Sequence, residues 1–225
     1  MASRRLVFLA FAAALIAVLA APAWAQPTEQ PKGFLVGLGG ASMTKTTSSV
    51  FGGAVGVNVT PHLQITGEVG RIQDLLPSFT QEDIRLAEAS FGPVMKIESR
   101  VPAVYGMAGV RVLGPAIRYA RPYVLASGGV ARITPDPVFK VLGVDATNEF
   151  MSEPDIASVF RNENRPIASI GGGVSVTVAQ HVAVDLGYKY SRIFIQKDYL
   201  QSPDSPHQHN RVDVHRVYFG LGYAF

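Results

Sequence analysis

Apolar and polar residues alternate with a period of two along most of this chain, and the last ten residues show it most plainly. In residues 216–225, Val217, Phe219, Leu221, Tyr223 and Phe225 share one parity, and Tyr218, Gly220, Gly222 and Ala224 share the other. Successive side chains of a strand point to opposite faces, so one face is wholly apolar and the other mostly small. The same alternation predicts strands at about 33–42, 50–60, 63–71, 96–112, 121–133, 167–178, 182–192 and 216–225. In the first, Phe34, Val36 and Leu38 oppose Gly37, Gly39 and Ala41. In the second, Phe51, Val55, Val57 and Val59 oppose Gly52, Ala54, Gly56 and Asn58. Leu63, Ile65 and Val69 oppose Gln64, Thr66 and Glu68 in the third. The sixth offers Ile170, Val174, Val176 and Val178 to one side, and the seventh Val182, Val184, Leu186, Tyr188 and Tyr190. The fourth and fifth carry glycine and alanine on both faces, which leaves their orientation open.

The connections predict how these strands close. Those after the second, fourth and sixth strands are short, with Pro61-His62 and Gln180-His181 inside two hairpins of similar pattern. Those at 72–95, 134–166 and 194–210 are long, and the connection after the first strand is moderate. Short turns at one end and long loops at the other are the pattern of outer-membrane barrels, and an even strand count puts both termini on the periplasmic side. In lipid an unpaired backbone group costs several kcal/mol, so the strands must close on themselves. Strands of about 9–11 residues, tilted, span the hydrocarbon. Eight of them enclose an interior just wide enough for side chains to fill. Tyr188, Tyr190, Tyr223 and Phe225 fall toward strand ends, where interfacial aromatic girdles sit. A soluble barrel of the lipocalin kind would put polar residues outside, against the almost unbroken apolar face of the seventh and eighth strands.

Composition adds an address and removes several chemistries. Arg4 and Arg5, an apolar run from Leu6 to Ala20, and Ala23-Trp24-Ala25 together read as a cleaved signal peptide over residues 1–25. One mature domain, residues 26–225, is expected after Gln26 becomes the N-terminus. Two of the 20 Lys+Arg lie in the leader, so the remainder nearly balances 17 Asp+Glu and gives no argument for nucleic acid. The absence of cysteine excludes disulfides, Cys-based metal sites and thiol catalysis. All 22 glycines lie beyond the leader and suit a narrow interior.

With the apolar faces outward, Gln64, Glu68, Arg100, Arg132, Asp185, Lys189 and Arg216 are expected to point into the lumen. Buried charges are tolerated when paired and hydrogen-bonded, so the plain expectation is a polar network that plugs the barrel. The sharper alternative is a narrow pathway for ions or small solutes in which these pairs exchange partners. His207, His209 and His215 gather near the last loop, but no acidic residue completes a site there, so neither a metal nor any other cofactor is expected. Two long loops carry helix signals. Thr80 to Asp83 precedes Ile84, Ala87 and Phe91, and Ser152 to Asp155 precedes Ile156, Val159 and Phe160. Such loops either cover the barrel mouth or present a surface to an extracellular ligand.

Three stretches carry a family resemblance: NVTPHLQITGEVG at 58–70, RPYVLASGGVARI at 121–133, and the Phe-terminal strand. With these the chain resembles the small eight-stranded outer-membrane β-barrels of the outer-membrane protein A transmembrane-domain type. The resemblance implies an all-β, closed, antiparallel transmembrane barrel in the outer membrane, among lipid and lipopolysaccharide. It further implies that Phe219, Leu221, Tyr223 and Phe225 form the signal read by the barrel-assembly machinery, after periplasmic chaperones deliver the chain. A structural or surface-interaction role is expected first and a narrow pore second. Some small barrels of this kind modify lipid A with Ser and His near the outer leaflet. Here Ser191, Ser202, Ser205 and His215 lie in that region, but Ser191 and His215 have opposite parity and no nucleophile elbow is present. No enzymatic activity is therefore expected.

Overall fold

The computed structural model describes residues 32–44, 47–91, 95–196 and 210–225. The leader at 1–25 and the loop residues Ser202, Ser205, His207 and His209 lie outside them. Eight antiparallel strands close into a barrel: β1 (Gly33–Met43), β2 (Thr47–Thr60), β3 (Leu63–Ile72), β5 (Ala103–Leu113), β6 (Ala120–Ile133), β9 (Glu163–Ala179), β10 (Val182–Phe194) and β11 (Arg211–Ala224). The order around the barrel is β1-β11-β10-β9-β6-β5-β3-β2, so β11 returns to pair with β1 and leaves no edge. A separate three-stranded sheet joins β4 (Met95–Arg100), β7 (Asp136–Val141) and β8 (Val144–Asp145). Three helices stand with it at the long-loop end: α1 (Ser78–Phe91), α2 (Thr147–Met151) and α3 (Pro154–Val159).

The expected fourth strand, 96–112, is two strands. β4 pairs with β7, whereas β5 stays in the barrel between β3 and β6. The register does not change across the break: Ala103 faces Ile133, and Arg100 faces Asp136, as if the β5–β6 ladder had continued. Pro102 and Pro135 lie in the gap, and proline has no N–H for a ladder. One ladder bond crosses the gap, from Thr134 N–H to the Pro102 carbonyl at 3.0 Å, whereas Val101 is bonded elsewhere: its N–H donates to Asp74 Oδ1 at 3.1 Å, and its carbonyl accepts from Leu75 N–H at 2.8 Å. The β7–β8 turn at Leu142-Gly143 has φ of 51° and 83°, two successive left-handed residues that suit a tight hairpin. These strands lie inside the expected 134–166 loop, whose proline-flanked alternation is too short to stand out.

Strand ends and helix starts also move. β1 and β2 grow toward each other and leave only residues 44–46 between them, so the connection expected to be moderate is short. β9 begins at Glu163 and β11 at Arg211, rising above the expected boundaries. α1 starts at Ser78, which places Thr80 inside its first turn and not at the cap. α3 is preceded by Glu153 and has Pro154 at its first position, while Ser152 closes α2.

β1 turns its bulky face inward. Phe34, Val36 and Leu38 lie inside, and Gly37, Gly39 and Ala41 lie outside. The flanking strands are hollow at these positions. A Cβ on Gly56 would come within 2.3 Å of Phe34, and one on Gly220 within 2.7 Å of Val36 and 2.9 Å of Leu38. β1 fills the space that glycines on β2 and β11 vacate, a pairing visible only once the strands are adjacent.

Candidate functional site

The barrel interior is layered. At the long-loop end Ile72, Leu75, Val101, Ile133, Ile193 and Val214 are all but completely buried and form one apolar cluster, with Ile84 of α1 packed against it. These residues come from four barrel strands and from the connections above them, so the base of the loops and the inner wall share one core. This layer was not expected from the alternation, because Ile72, Ile133, Ile193 and Val214 share the parity of the polar lumen residues further down their strands.

Below it lies a polar layer with two centres. Glu68 accepts from Lys189 Nζ, from the Tyr105 hydroxyl at 3.0 Å and from Arg216 Nη1 at 3.4 Å. Arg216 Nη2 donates to Ser191 Oγ at 2.7 Å, and Ser191 shares a hydrogen bond of 2.7 Å with Ser169. The second centre is Asp185, which accepts from Arg111 Nη2 at 2.5 Å and from the Tyr123 hydroxyl. Tyr123 and Tyr218 share a hydroxyl–hydroxyl bond of 2.8 Å. Each cation also rests on an aromatic face: Arg111 is 3.4 Å from the Tyr123 ring centroid, Arg216 4.6 Å from Tyr105, and Lys189 5.4 Å from Tyr218. Cation–π contact and ion pairing together hold three positive charges over two carboxylates away from bulk water.

Of the seven expected lumen residues, Gln64, Glu68, Asp185, Lys189 and Arg216 are inside, and Gln64 Nε2 donates to Asn58 Oδ1 at 2.6 Å. Arg100 and Arg132 are not. Arg100 is exposed at the end of β4, outside the barrel, opposite Asp136. Arg132 is exposed on the outer face of β6, because Tyr123, Ala131 and Ile133 take the inward parity of that strand. A long cationic side chain is tolerated there because it sits at the strand end, within reach of water. Arg111, Tyr105, Tyr123 and Tyr218 complete the network and escape sequence reading. β5 and β6 carry glycine and alanine on both faces, and Tyr218 stands among small residues. The available signal was pairing: once β3 and β5 are aligned, Arg111 falls opposite Gln64.

On the outer wall, His215 receives the Tyr188 hydroxyl at 2.5 Å from its Nδ1 and packs beside the Tyr190 ring. Ser191 is wholly buried on the other side of the wall. The two residues cannot act as nucleophile and base on one substrate. Among the described residues no three His, Cys, Asp or Glu side chains converge on a common point.

Above the barrel, β4 and β7 draw the two longest connections into one sheet. Glu98 on β4 lies 3.1 Å from Lys96 and 3.3 Å from Lys140, and these hydrogen bonds hold its carboxyl below the ordinary 4.5. Hydrogen bonds from the Thr147 hydroxyl and backbone N–H likewise lower Asp145 from 3.8. Phe139 of β7 stacks on Phe150 at 5.0 Å and meets Phe160 edge-on at 6.1 Å, giving the sheet a small core of its own.

A family model described as outer membrane protein beta-barrel domain matches residues 11–225. The chain belongs to that family. Among solved structures, this outer-membrane barrel is similar to neisserial surface protein A, at 13% identity and a TM-score of 0.50, over 86% of this chain and 96% of that one. The Yersinia pestis attachment invasion locus protein Ail is matched at 11% identity and a TM-score of 0.47, over 88% of this chain and all of that one. The N-terminal barrel domain of Pseudomonas aeruginosa OprF is matched at 10% identity and a TM-score of 0.46, with the same 88% coverage of this chain. No curated protein matches the chain. In outer-membrane barrels the short turns face the periplasm. The ends of β2, β5 and β9 and the start of β1 therefore lie on that side, and the apolar layer and the small sheet lie toward the exterior.

Proposed function

We propose that this protein is a sealed outer-membrane scaffold that presents a folded surface to an extracellular ligand, and that it is not an enzyme. The observation that carries this reading is the β4–β7 ladder, which ties two separate long connections into one sheet. Loops that only cover a barrel mouth need no ladder of their own, whereas a recognition surface gains from being held in one shape. The apolar layer beneath it argues against a narrow pore, since a solute would have to displace fully buried isoleucines. The separation of Ser191 and His215 across the wall argues against lipid A chemistry. On this reading residues 1–25 are a leader removed on export. Phe219, Leu221, Tyr223 and Phe225 serve as the signal for the barrel-assembly machinery after chaperone delivery, and lipid and lipopolysaccharide surround the outer wall.

Two measurements on the full-length protein test this. Purified protein is expected to migrate in a heat-modifiable way on gels and to give no reproducible channels in planar bilayers. Cells displaying it are expected to be retained on serum- or matrix-coated surfaces, and cells displaying a variant with residues 136–145 replaced by a Gly-Ser linker are not. Stable single-channel conductance, or equal retention of both strains and a barrel-free control, would sink the proposal.

A further inference from the structure

The periplasmic end of the barrel is open and hollow. A cavity of ≈ 1030 Å³ extends inward from the short turns, with Gln64, Arg111 and Asp185 at its floor and Lys32, Arg118 and Arg121 around its walls. Ligand pockets are typically about 300–1,000 Å³, so the space suits a small organic molecule. The apolar layer at the far end makes this a dead-end chamber and not the entrance of a pore.

Its charge is net positive. Four cationic side chains line it, Lys32, Arg111, Arg118 and Arg121, against two carboxylates: Asp185, which Arg111 already engages, and the main-chain carboxylate of Phe225. Among the described residues neither Lys32 nor Arg118 has a carboxylate partner. Arg121 spends two of its donors on backbone carbonyls of the neighbouring turns, Gly114 at 3.1 Å and Pro61, and so stands fixed at the wall. A concave, low-dielectric wall with cations in excess concentrates anions. Arg118 is held at φ 60° in the two-residue turn Arg118-Tyr119, which Ile117 and Ala120 close with paired backbone hydrogen bonds, so the turn fixes its place at the mouth. Phe34 and Tyr119 also line the chamber and offer faces for a ring.

We propose that this periplasmic chamber binds a small hydroxylated oxyanion of the size of a sugar phosphate. Arg118 and Lys32 take the anionic group near the mouth, and the ring and hydroxyls reach inward past Phe34 and Tyr119 toward the polar floor. The phosphate chemistry is shared by free periplasmic solutes and by headgroups of the inner-leaflet phospholipids, and the test separates these sources.

The full-length barrel is reconstituted in zwitterionic phosphatidylcholine nanodiscs and titrated calorimetrically with glucose 6-phosphate, inorganic phosphate and glucose. Saturable binding of glucose 6-phosphate at about 1 mM or tighter is expected, with inorganic phosphate weaker and glucose weakest. Arg118→Ala and Lys32→Ala, both exposed and outside the barrel core, are each expected to weaken it about threefold to tenfold. Arg71→Ala, on the outer face at the opposite rim, is expected to leave it unchanged. Repeating the titration in discs containing phosphatidylglycerol assigns the source: competition marks lipid headgroups as occupants, and unchanged binding marks a free solute. Absence of saturable heat with glucose 6-phosphate would overturn the proposal. So would binding that Arg118→Ala and Lys32→Ala leave intact, or that Arg71→Ala weakens equally.

Discussion

Glycines on the inner wall are seats for tyrosine rings. A Cβ on Gly187 would lie 2.4 Å from the Tyr218 ring and 2.9 Å from the Tyr123 hydroxyl, and one on Gly70 would lie 2.5 Å from the Tyr105 hydroxyl. The rings therefore lie flat where no side chain projects, and their hydroxyls reach the carboxylates of Glu68 and Asp185. Gly187→Ala is expected to destabilise the barrel by about 1–3 kcal/mol, the usual range for overpacking. Gly37→Ala, whose added Cβ would meet nothing nearer than 3.9 Å, should stay near neutral in the same urea titration of vesicle-inserted protein. Glu68 tests the polar layer. Replacing it by Ala strips Lys189 and Arg216 of their carboxylate together and is expected to lower stability by about 3–5 kcal/mol. Adding Lys189→Met should recover part of that loss. If the double variant is no more stable than Glu68→Ala alone, the charges do not act as one network.

At the scale of elements, the informative case is the ladder that leaves the barrel and resumes above it. β5 and β6 stop at Ala103 and Ile133, and β4 and β7 take up the same register three residues on. At the break Asp74 and Leu75 take up the backbone groups of Val101, and Asp74 also accepts from Leu76 N–H at 2.9 Å. The upper sheet has its own acid dependence. Lys96 and Lys140 lower Glu98, and Thr147 lowers Asp145, relative to 4.5 and 3.8. A carboxyl whose folded-state value is depressed stabilises the fold above its unfolded value, and that contribution disappears as pH falls through the folded one. Between about pH 5 and pH 3 the amides of β4 and β7 should lose exchange protection, after correction for intrinsic rates, while β5 and β6 keep theirs. Equal loss in all four strands would show that the sheet and the barrel open as one unit.

For the whole molecule the decisive contact is the seam. β11 pairs with β1 along ten residues from Phe34 to Met43, and Phe225 extends it by exchanging backbone hydrogen bonds of 2.9 and 3.0 Å with Gly33. Phe225 is exposed, and its ring rests over Gly33 of β1, where an added Cβ would lie 2.9 Å away. Its two possible contributions are separable. As a seam residue it contributes backbone pairing that Phe225→Ala preserves; as an assembly signal it contributes the ring. Phe225→Ala is expected to lower the amount of heat-modifiable protein recovered from outer membranes several-fold, while the recovered fraction unfolds at nearly the wild-type urea concentration. Normal recovery with reduced stability would assign the ring to packing.

How much of this was legible from residues alone follows from the physics of a strand. Period-two alternation with apolar faces, glycine-rich opposite faces and alternating short and long connections determined a closed eight-stranded barrel, because lipid tolerates no open edge. The parity of β3, β10 and β11 also placed Glu68, Asp185, Lys189 and Arg216 inside. Parity is silent where glycine and alanine occupy both faces, as in β5 and β6, which is why alternation leaves Arg111 and Tyr123 unplaced and puts Arg132 on the wrong side. It is also silent about depth. Ile72 and Glu68 share one face of β3, and only the three-dimensional stagger of eight strands shows that one belongs to an apolar seal and the other to a charged layer. The inward turn of Phe34, Val36 and Leu38, and the joining of two distant loops by β4 and β7, were likewise decided by tertiary structure. Each depends on which glycines and which free ladder edges become neighbours after closure.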